Sequence, residues 1–208
     1  MTMNKREMSY ISQYVDSLFP NAKCELFYSK DYELAIAVML SAQTTDKAVN
    51  KVTGKLFKGF PTLKSFVDAD VKDIEEHIKC LGLYKNKAAN IKLLAEKLYY
   101  EFDGKLPSDK KLLTTLPGIG NKSAGVIRIE IFKIPDLPVD THVKRISTRL
   151  GIATESDTPD IVEQKLKKLI PEDSWIKTHH QLIHFGRYFC TAKSPNCDQC
   201  KLKDKCKY

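Results

Sequence analysis

The sequence predicts an all-α protein. Three observations carry the prediction: apolar residues recur at 3- and 4-residue spacings along most of the chain, short turns containing Gly, Pro and Asp part the periodic stretches, and helix-start chemistry such as Thr158-Pro159-Asp160 stands where a stretch begins. Segment 5–19 sets Met8, Ile11, Tyr14, Val15 and Leu18 on one helical face, an amphipathic opening helix. Segment 32–43, YELAIAVMLSAQ, is almost wholly apolar but too short to span a bilayer, which predicts a helix buried on most sides. Periodic stretches follow at 46–57, 71–79, 87–102 and 109–115. VIRIEIF, residues 126–132, alternates Ile127, Ile129 and Ile131 with Arg128 and Glu130, the period of a half-buried strand. Its place after a glycine turn and an Asn-Lys-Ser start favours helix, and periodicity leaves both readings open. Thr158 as cap and Pro159 at the first helical position open a helix that runs to about Ile170, ahead of Pro171. A last long helix covers roughly 174–188, and no repeat, low-complexity segment or long linker interrupts the series.

At 208 residues the chain can bury about 70 % of its unfolded surface, enough for one large domain or two small ones. With 42 % apolar residues it is neither disordered nor collagen-like. It has no long uninterrupted apolar run, and MTMNKREMSY carries no signal-peptide core, so a soluble, cytoplasmic protein with no membrane partner is expected. The formal charge is +8 and the pI about 9.1, which favours a polyanionic partner. The excess is concentrated. Residues 110–149 hold eight basic side chains against Glu130, Asp136 and Asp140, and residues 177–208 hold seven against Asp198 and Asp204, each segment a net +5.

Two constellations carry chemistry. LPGIG, residues 116–120, ends one helical stretch and begins another, and Gly118 and Gly120 can take positive φ, letting successive N–H groups face outward at a helix N-terminus. Alone this is either a phosphate cradle or a tight helix–helix turn. The second is the run of Cys190, Cys197, Cys200 and Cys206, spaced x6, x2 and x5. In a cytosolic chain such a cluster points to metal rather than disulfides, and the spacing leaves zinc and an iron–sulfur cluster open. The lone Cys24 and Cys80 read as ordinary buried residues.

LPGIGNKSAG, then VDTHVKR, then the four cysteines resemble the endonuclease III family of helix-hairpin-helix DNA glycosylases, and LSAQTTDKAVN, GLYKNKAANI and HHQLIHFGRYFC resemble it at matching places. The resemblance implies two helical lobes with a DNA-binding cleft between them: a six-helix lobe at 25–134 containing the helix-hairpin-helix, and a terminal lobe of 1–24 plus 135–208 with a cluster loop at 190–206. It implies a [4Fe-4S] cluster on Cys190, Cys197, Cys200 and Cys206, with Lys201, Lys203 and Lys205 offering charge to phosphates. It also implies that Lys122 is the nucleophile and Asp140 the catalytic carboxylate. An amine attacks only when neutral, so desolvation and the positive end of the helix starting at Asn121 are expected to disfavour the ammonium form. Gln43 and Leu83 are expected to fill the hole left by a rotated-out nucleotide, with Gly118 and Gly120 gripping the backbone. Asp46 is either a pocket residue or a helix cap.

The activity implied is that of a bifunctional DNA glycosylase and abasic-site lyase, excising oxidised pyrimidines from duplex DNA in base excision repair and nicking by β-elimination, as a monomer. Two alternatives stand beside it. An adenine-mismatch glycosylase of the same superfamily generally lacks the lysine found at 122 and extends well past the cluster, whereas two residues follow Cys206 here. A non-catalytic DNA-binding protein would use the hairpin and cysteines for phosphate contacts only. The chain departs from many members after Lys122, where it reads Ser123, Ala124 and Gly125, the last of which weakens helix propensity by about 1 kcal/mol relative to Ala.

Overall fold

The computed structural model describes residues 3–208 and is helical, with no β-strand among those residues. The chain divides into two compact units: Glu25–Phe132, and Met1–Cys24 with Lys133–Tyr208, of which Met1 and Thr2 lie outside the described residues.

Glu25–Phe132 is assembled around α2 (Asp31–Leu40). Every residue from Leu34 to Leu40 is at most 4 % exposed, so its lack of a polar face reflects burial on all sides, as its composition predicts. α3 (Asp46–Gly59), α6 (Tyr84–Glu101) and α8 (Asn121–Ile127) pack against it. α4 (Leu63–Asp68) and α5 (Val71–Ile78) pack on α6, and α7 (Lys110–Thr114) on α8. The sequence reading missed α4, because six residues are too few for a period to register. Its Thr62 capping box is its clearest sequence mark. α3 begins with Thr45 as cap, accepting from the Ala48 N–H, so Asp46 stands in the first turn and is not the cap. The strand-like VIRIEIF is helical: α8 passes into a π-helical stretch, Arg128–Phe132, which ends at Lys133 in the left-handed region (φ 54°). Of the two lone cysteines, Cys24 is half-buried but Cys80 is exposed just past α5, so the buried reading fails for Cys80.

The other unit packs α1 (Lys5–Leu18), α9 (Thr141–Arg149), α10 (Pro159–Leu169) and α11 (Trp175–His184) around one core. Met8, Ile11 and Val15 meet Val143, Ile146, Leu166, Leu182 and Phe185 there. The last helix is less regular than its sequence suggests, with a 3₁₀ turn at Glu172–Ser174 before it and a π-helical stretch, Phe185–Phe189, after it. Asp136 is completely buried and is held by Lys167 at 2.6 Å, which also binds Glu163. Burial opposes charge on Lys167, but the two carboxylates outweigh it and hold its pKa above the usual lysine value.

Candidate active site

The turn between α7 and α8 is a β-turn closed by the Ile119 N–H on the Leu116 carbonyl at 3.1 Å, with Pro117 and Gly118 at its centre. Proline followed by a residue at positive φ is the type II signature, and Gly118 sits at φ 77°. A Cβ there would also lie 2.4 Å from the Met39 Sδ of α2, so Gly118 serves both the turn and its docking. Gly120 differs. Its φ is −93°, not positive as the sequence reading allowed, and a Cβ would meet nothing within 4 Å. It is the N-cap of α8 and supplies no side-chain acceptor, so the first N–H groups of that helix have no capping oxygen from it. Buried Leu116 and Ile119 hold the turn to the core.

Lys122 follows in the first turn of α8, exposed and with no ion pair among the described residues. Ala124 and Gly125 lie on the buried side of the same helix.

Two further turns of this unit carry the other residues singled out. Gln43 lies beyond α2, exposed, at φ 54°. It is thus not the helix residue that segment 32–43 implied. Leu83 is the N-cap of α6 at φ 60°, ψ 27°, and its side chain is 60 % exposed, so it is not a core leucine. Left-handed backbone costs a non-glycine residue about 1–2 kcal/mol. Gln43 and Leu83 are both exposed, and Asp103 and Lys133 share the left-handed region with them.

Between these turns stands Lys87, which the sequence reading passed over. Its Nζ donates to the Leu40 carbonyl at 2.9 Å and the Thr44 hydroxyl at 2.7 Å, and burial pushes its pKa below the usual lysine value. The signal was available: Lys87 shares the helical stripe of Ile91, Leu94 and Leu98, where a solvated lysine has no place.

In the other unit Asp140 is the N-cap of α9, its Oδ1 accepting from the Val143 N–H at 2.8 Å. The capping bond pins the carboxylate at the helix start, half-buried. His142 follows, its pKa pushed down by burial against the opposing pull of Asp140, with Arg145 and Arg187 lowering it further. Arg145 donates to the Gly186 and Cys190 carbonyls at 2.7 and 3.1 Å.

The cysteine loop is held from α9. Arg149 donates to the Cys190 Sγ at 3.2 Å, to the Thr191 carbonyl at 2.8 Å and to the Ala192 carbonyl at 3.1 Å, while its guanidinium stacks on Tyr208. Leu202 is fully buried, and Cys190 and Cys200 pack against the same core. None of the four loop cysteines is in a disulfide, and all are half-buried. Burial raises the Cys200 thiol pKa, and the charges of Cys190 and Cys206 raise it further, so these three sulfurs share one electrostatic neighbourhood. Among the described residues no three His, Cys, Asp or Glu side chains converge on a single metal ion. Of the loop lysines, Lys203 pairs with Asp198 and Lys205 with Glu7, whereas Lys201 is exposed without an ion pair among the described residues. No helix among those residues is long and apolar enough to cross a membrane.

A helical fold with a glycine hairpin opening a lysine-bearing helix defines a class of DNA-repair proteins, and the chain matches it. Residues 36–172 match the family model of the HhH-GPD superfamily base excision DNA repair proteins. Endonuclease III of Bacillus subtilis (strain 168) is 40 % identical over 205 residues, covering 99 % of this chain and 94 % of that protein. Endonuclease III of Escherichia coli (strain K12) is 38 % identical over 206 residues, covering 99 % and 97 %. The structure of a trapped endonuclease III–DNA covalent intermediate is similar at TM-score 0.96 with 42 % identity, over 99 % of this chain and 97 % of that one. The chain belongs to the endonuclease III family, base excision repair DNA glycosylases in which abasic-site lyase activity is general.

Proposed function

We propose that this chain excises oxidised pyrimidines from duplex DNA and then cuts the strand, with Lys122 as nucleophile. The observation that carries the reading is Lys122 itself: an exposed amine with no ion pair among the described residues, one residue into the helix that an uncapped glycine turn opens. The Lys122 Nζ attacks the sugar C1′ as the glycosidic bond breaks and the base leaves with the bonding pair. Loss of a proton from nitrogen and opening of the sugar ring leave a Schiff base. The iminium acidifies the C2′ proton, whose removal expels the 3′ phosphate in β-elimination. Bound substrate supplies the desolvation that a neutral amine needs. Asp140, fixed by its capping bond, stabilises positive charge developing on the sugar and moves protons. Gln43 and Leu83 fill the space of the rotated-out nucleotide, and the hairpin around Gly118 and Gly120 takes a phosphate on the first N–H groups of α8.

Cys190, Cys197, Cys200 and Cys206 fit a [4Fe-4S] cluster. All four are outside disulfides, three share one neighbourhood, and Arg149 already sets a cationic donor on the Cys190 sulfur, which suits a thiolate ligand. A bound cluster would supply a covalent tie between Cys190 and the last turn of the chain, and Lys201 would present charge to the DNA backbone. The protein acts as a cytoplasmic monomer arranged as two helical lobes.

The test is borohydride trapping on duplex DNA containing thymine glycol, with wild-type protein and Lys122→Ala in parallel. The wild type is expected to form a covalent adduct, and Lys122→Ala to form none while its duplex affinity stays within about threefold. Absence of an adduct from cluster-loaded wild-type protein overturns the lyase assignment. An adduct that persists in Lys122→Ala overturns the nucleophile.

A further inference from the structure

The turns that carry Gln43 and Leu83 belong to different helices, yet both residues hold left-handed backbone and both are exposed. Two side chains that enter one duplex must keep a fixed separation. Leu83, as the N-cap of α6, makes no side-chain capping bond, and its carbonyl is taken by the Lys87 N–H at 3.0 Å. The same lysine reaches across with its side chain. Its Nζ binds the Leu40 carbonyl, the last of α2, and the Thr44 hydroxyl, one residue past Gln43. Thr44 in turn donates its N–H to the Ser41 carbonyl at 3.1 Å and its hydroxyl to the Ala42 carbonyl at 3.3 Å, closing the turn on which Gln43 sits. Main chain and side chain of one residue thus grip both turns.

The chemistry suits the place. The end of α2 presents carbonyls without intrahelical partners and the negative end of the helix dipole, where a cation is favoured. Lys87 is 5 % exposed, and both recorded acceptors are neutral, so this is not a surface ion pair. A buried ammonium is costly unless its donors are used, and here two of the three are used to join two loops.

We propose that Lys87 is a positioning residue that sets the separation of Gln43 and Leu83, so that the two enter the duplex together. The proposal rests on the assignment of those two side chains as the ones that fill the vacated base position. Lys87, buried at 5 % exposure, acts through its bonds to the two turns.

The readout is the ratio of strand-cutting rates on duplex and single-stranded DNA carrying the same abasic site. A single strand has no stacked hole to fill, so a positioning defect lowers the ratio, whereas general damage to the fold lowers both rates together. Lys87→Met, which keeps the stem and removes the donors, is expected to lower the ratio by roughly tenfold. Thr44→Val removes one acceptor at a half-buried site and is expected to lower it by about threefold, which keeps the test alive if Lys87→Met fails to fold. In a protein already carrying Gln43→Ala and Leu83→Ala, Lys87→Met is expected to leave the ratio where those two substitutions put it. An unchanged ratio in Lys87→Met and Thr44→Val, or a further full loss on the double-alanine background, overturns the proposal. If Gln43→Ala and Leu83→Ala themselves leave the ratio unchanged, the underlying assignment fails, and that result is distinct from a failure of Lys87 alone.

Discussion

The hairpin with its neighbouring turns and the cysteine loop reach definition by opposite means. In Glu25–Phe132 the shape is written in backbone conformation: a type II turn at Gly118, an uncapped helix start at Gly120, and left-handed Gln43 and Leu83 on turns joined by Lys87. The cysteine loop has two short 3₁₀ turns and little other regular structure, and side chains hold it. Arg149 and Arg145 bind its first carbonyls, Tyr14 donates to the Gln199 carbonyl at 3.3 Å, and Leu202 plugs the core. A site built from backbone is complete without its ligand. A loop held by a few side chains around four thiols depends on what those thiols bind.

The largest effect should therefore fall on the loop. Cys200→Ser removes a sulfur that is packed against the core and in the field of Cys190 and Cys206. Iron and inorganic sulfide per chain are expected to fall at least about tenfold, and limited proteolysis is expected to cut within 190–206 while Glu25–Phe132 stays intact. Full iron content in Cys200→Ser would show that the cluster does not use this sulfur, and the contrast between the two regions would lose its basis.

The same contrast explains what could be read from the sequence. The helices were legible because 3.6-residue periodicity and caps such as Thr158 are local signals. The short α4 was not, for want of length, and the π-helical stretch at Arg128–Phe132 was ambiguous because Ile127, Ile129 and Ile131 alternate with Arg128 and Glu130 at the period of a strand. At the site, the cysteines stood out by residue type and spacing, whereas Lys122 and Asp140 were singled out by the resemblance of LPGIGNKSAG and VDTHVKR to the family. Arg145 and Arg149 did not stand out, because their roles rest on carbonyls and a sulfur 41 to 45 residues away in sequence, and for Lys87 the apolar stripe of α6 marked its burial but not its partners on the Leu40 carbonyl and Thr44. Left-handed backbone at Gln43 and Leu83 has no sequence signature in a residue other than Gly, Asn or Asp.

Within the hairpin, two glycines two residues apart should respond differently. Gly118→Ala forces a Cβ into left-handed backbone and against Met39, which is itself buried, so a loss of about 2–4 kcal/mol is expected in urea or thermal unfolding. Gly120→Ala has ordinary φ and open space, and should cost no more than about 1 kcal/mol, the difference between glycine and alanine at an N-cap. Its methyl group nonetheless stands beside the N–H groups proposed to hold a phosphate, so duplex affinity should fall by roughly fivefold. Equal stability losses at both positions would mean that Gly120 is a packing glycine. An unchanged affinity in Gly120→Ala would move the phosphate site elsewhere.

The smallest expected effect has the opposite sign. Leu83 is strained and exposed, so Leu83→Asn replaces a side chain that disfavours left-handed backbone with one that tolerates it, at little loss of buried apolar area. Unfolding experiments should find the variant more stable by about 0.5–1 kcal/mol, while the duplex to single-strand cutting ratio falls. A gain in stability paired with a loss confined to duplex substrate would identify the strain as serving DNA engagement. If Leu83→Asn is instead destabilised, the leucine side chain contributes packing that its exposure does not reveal, and the wedge at residue 83 would have to be argued from the DNA side alone.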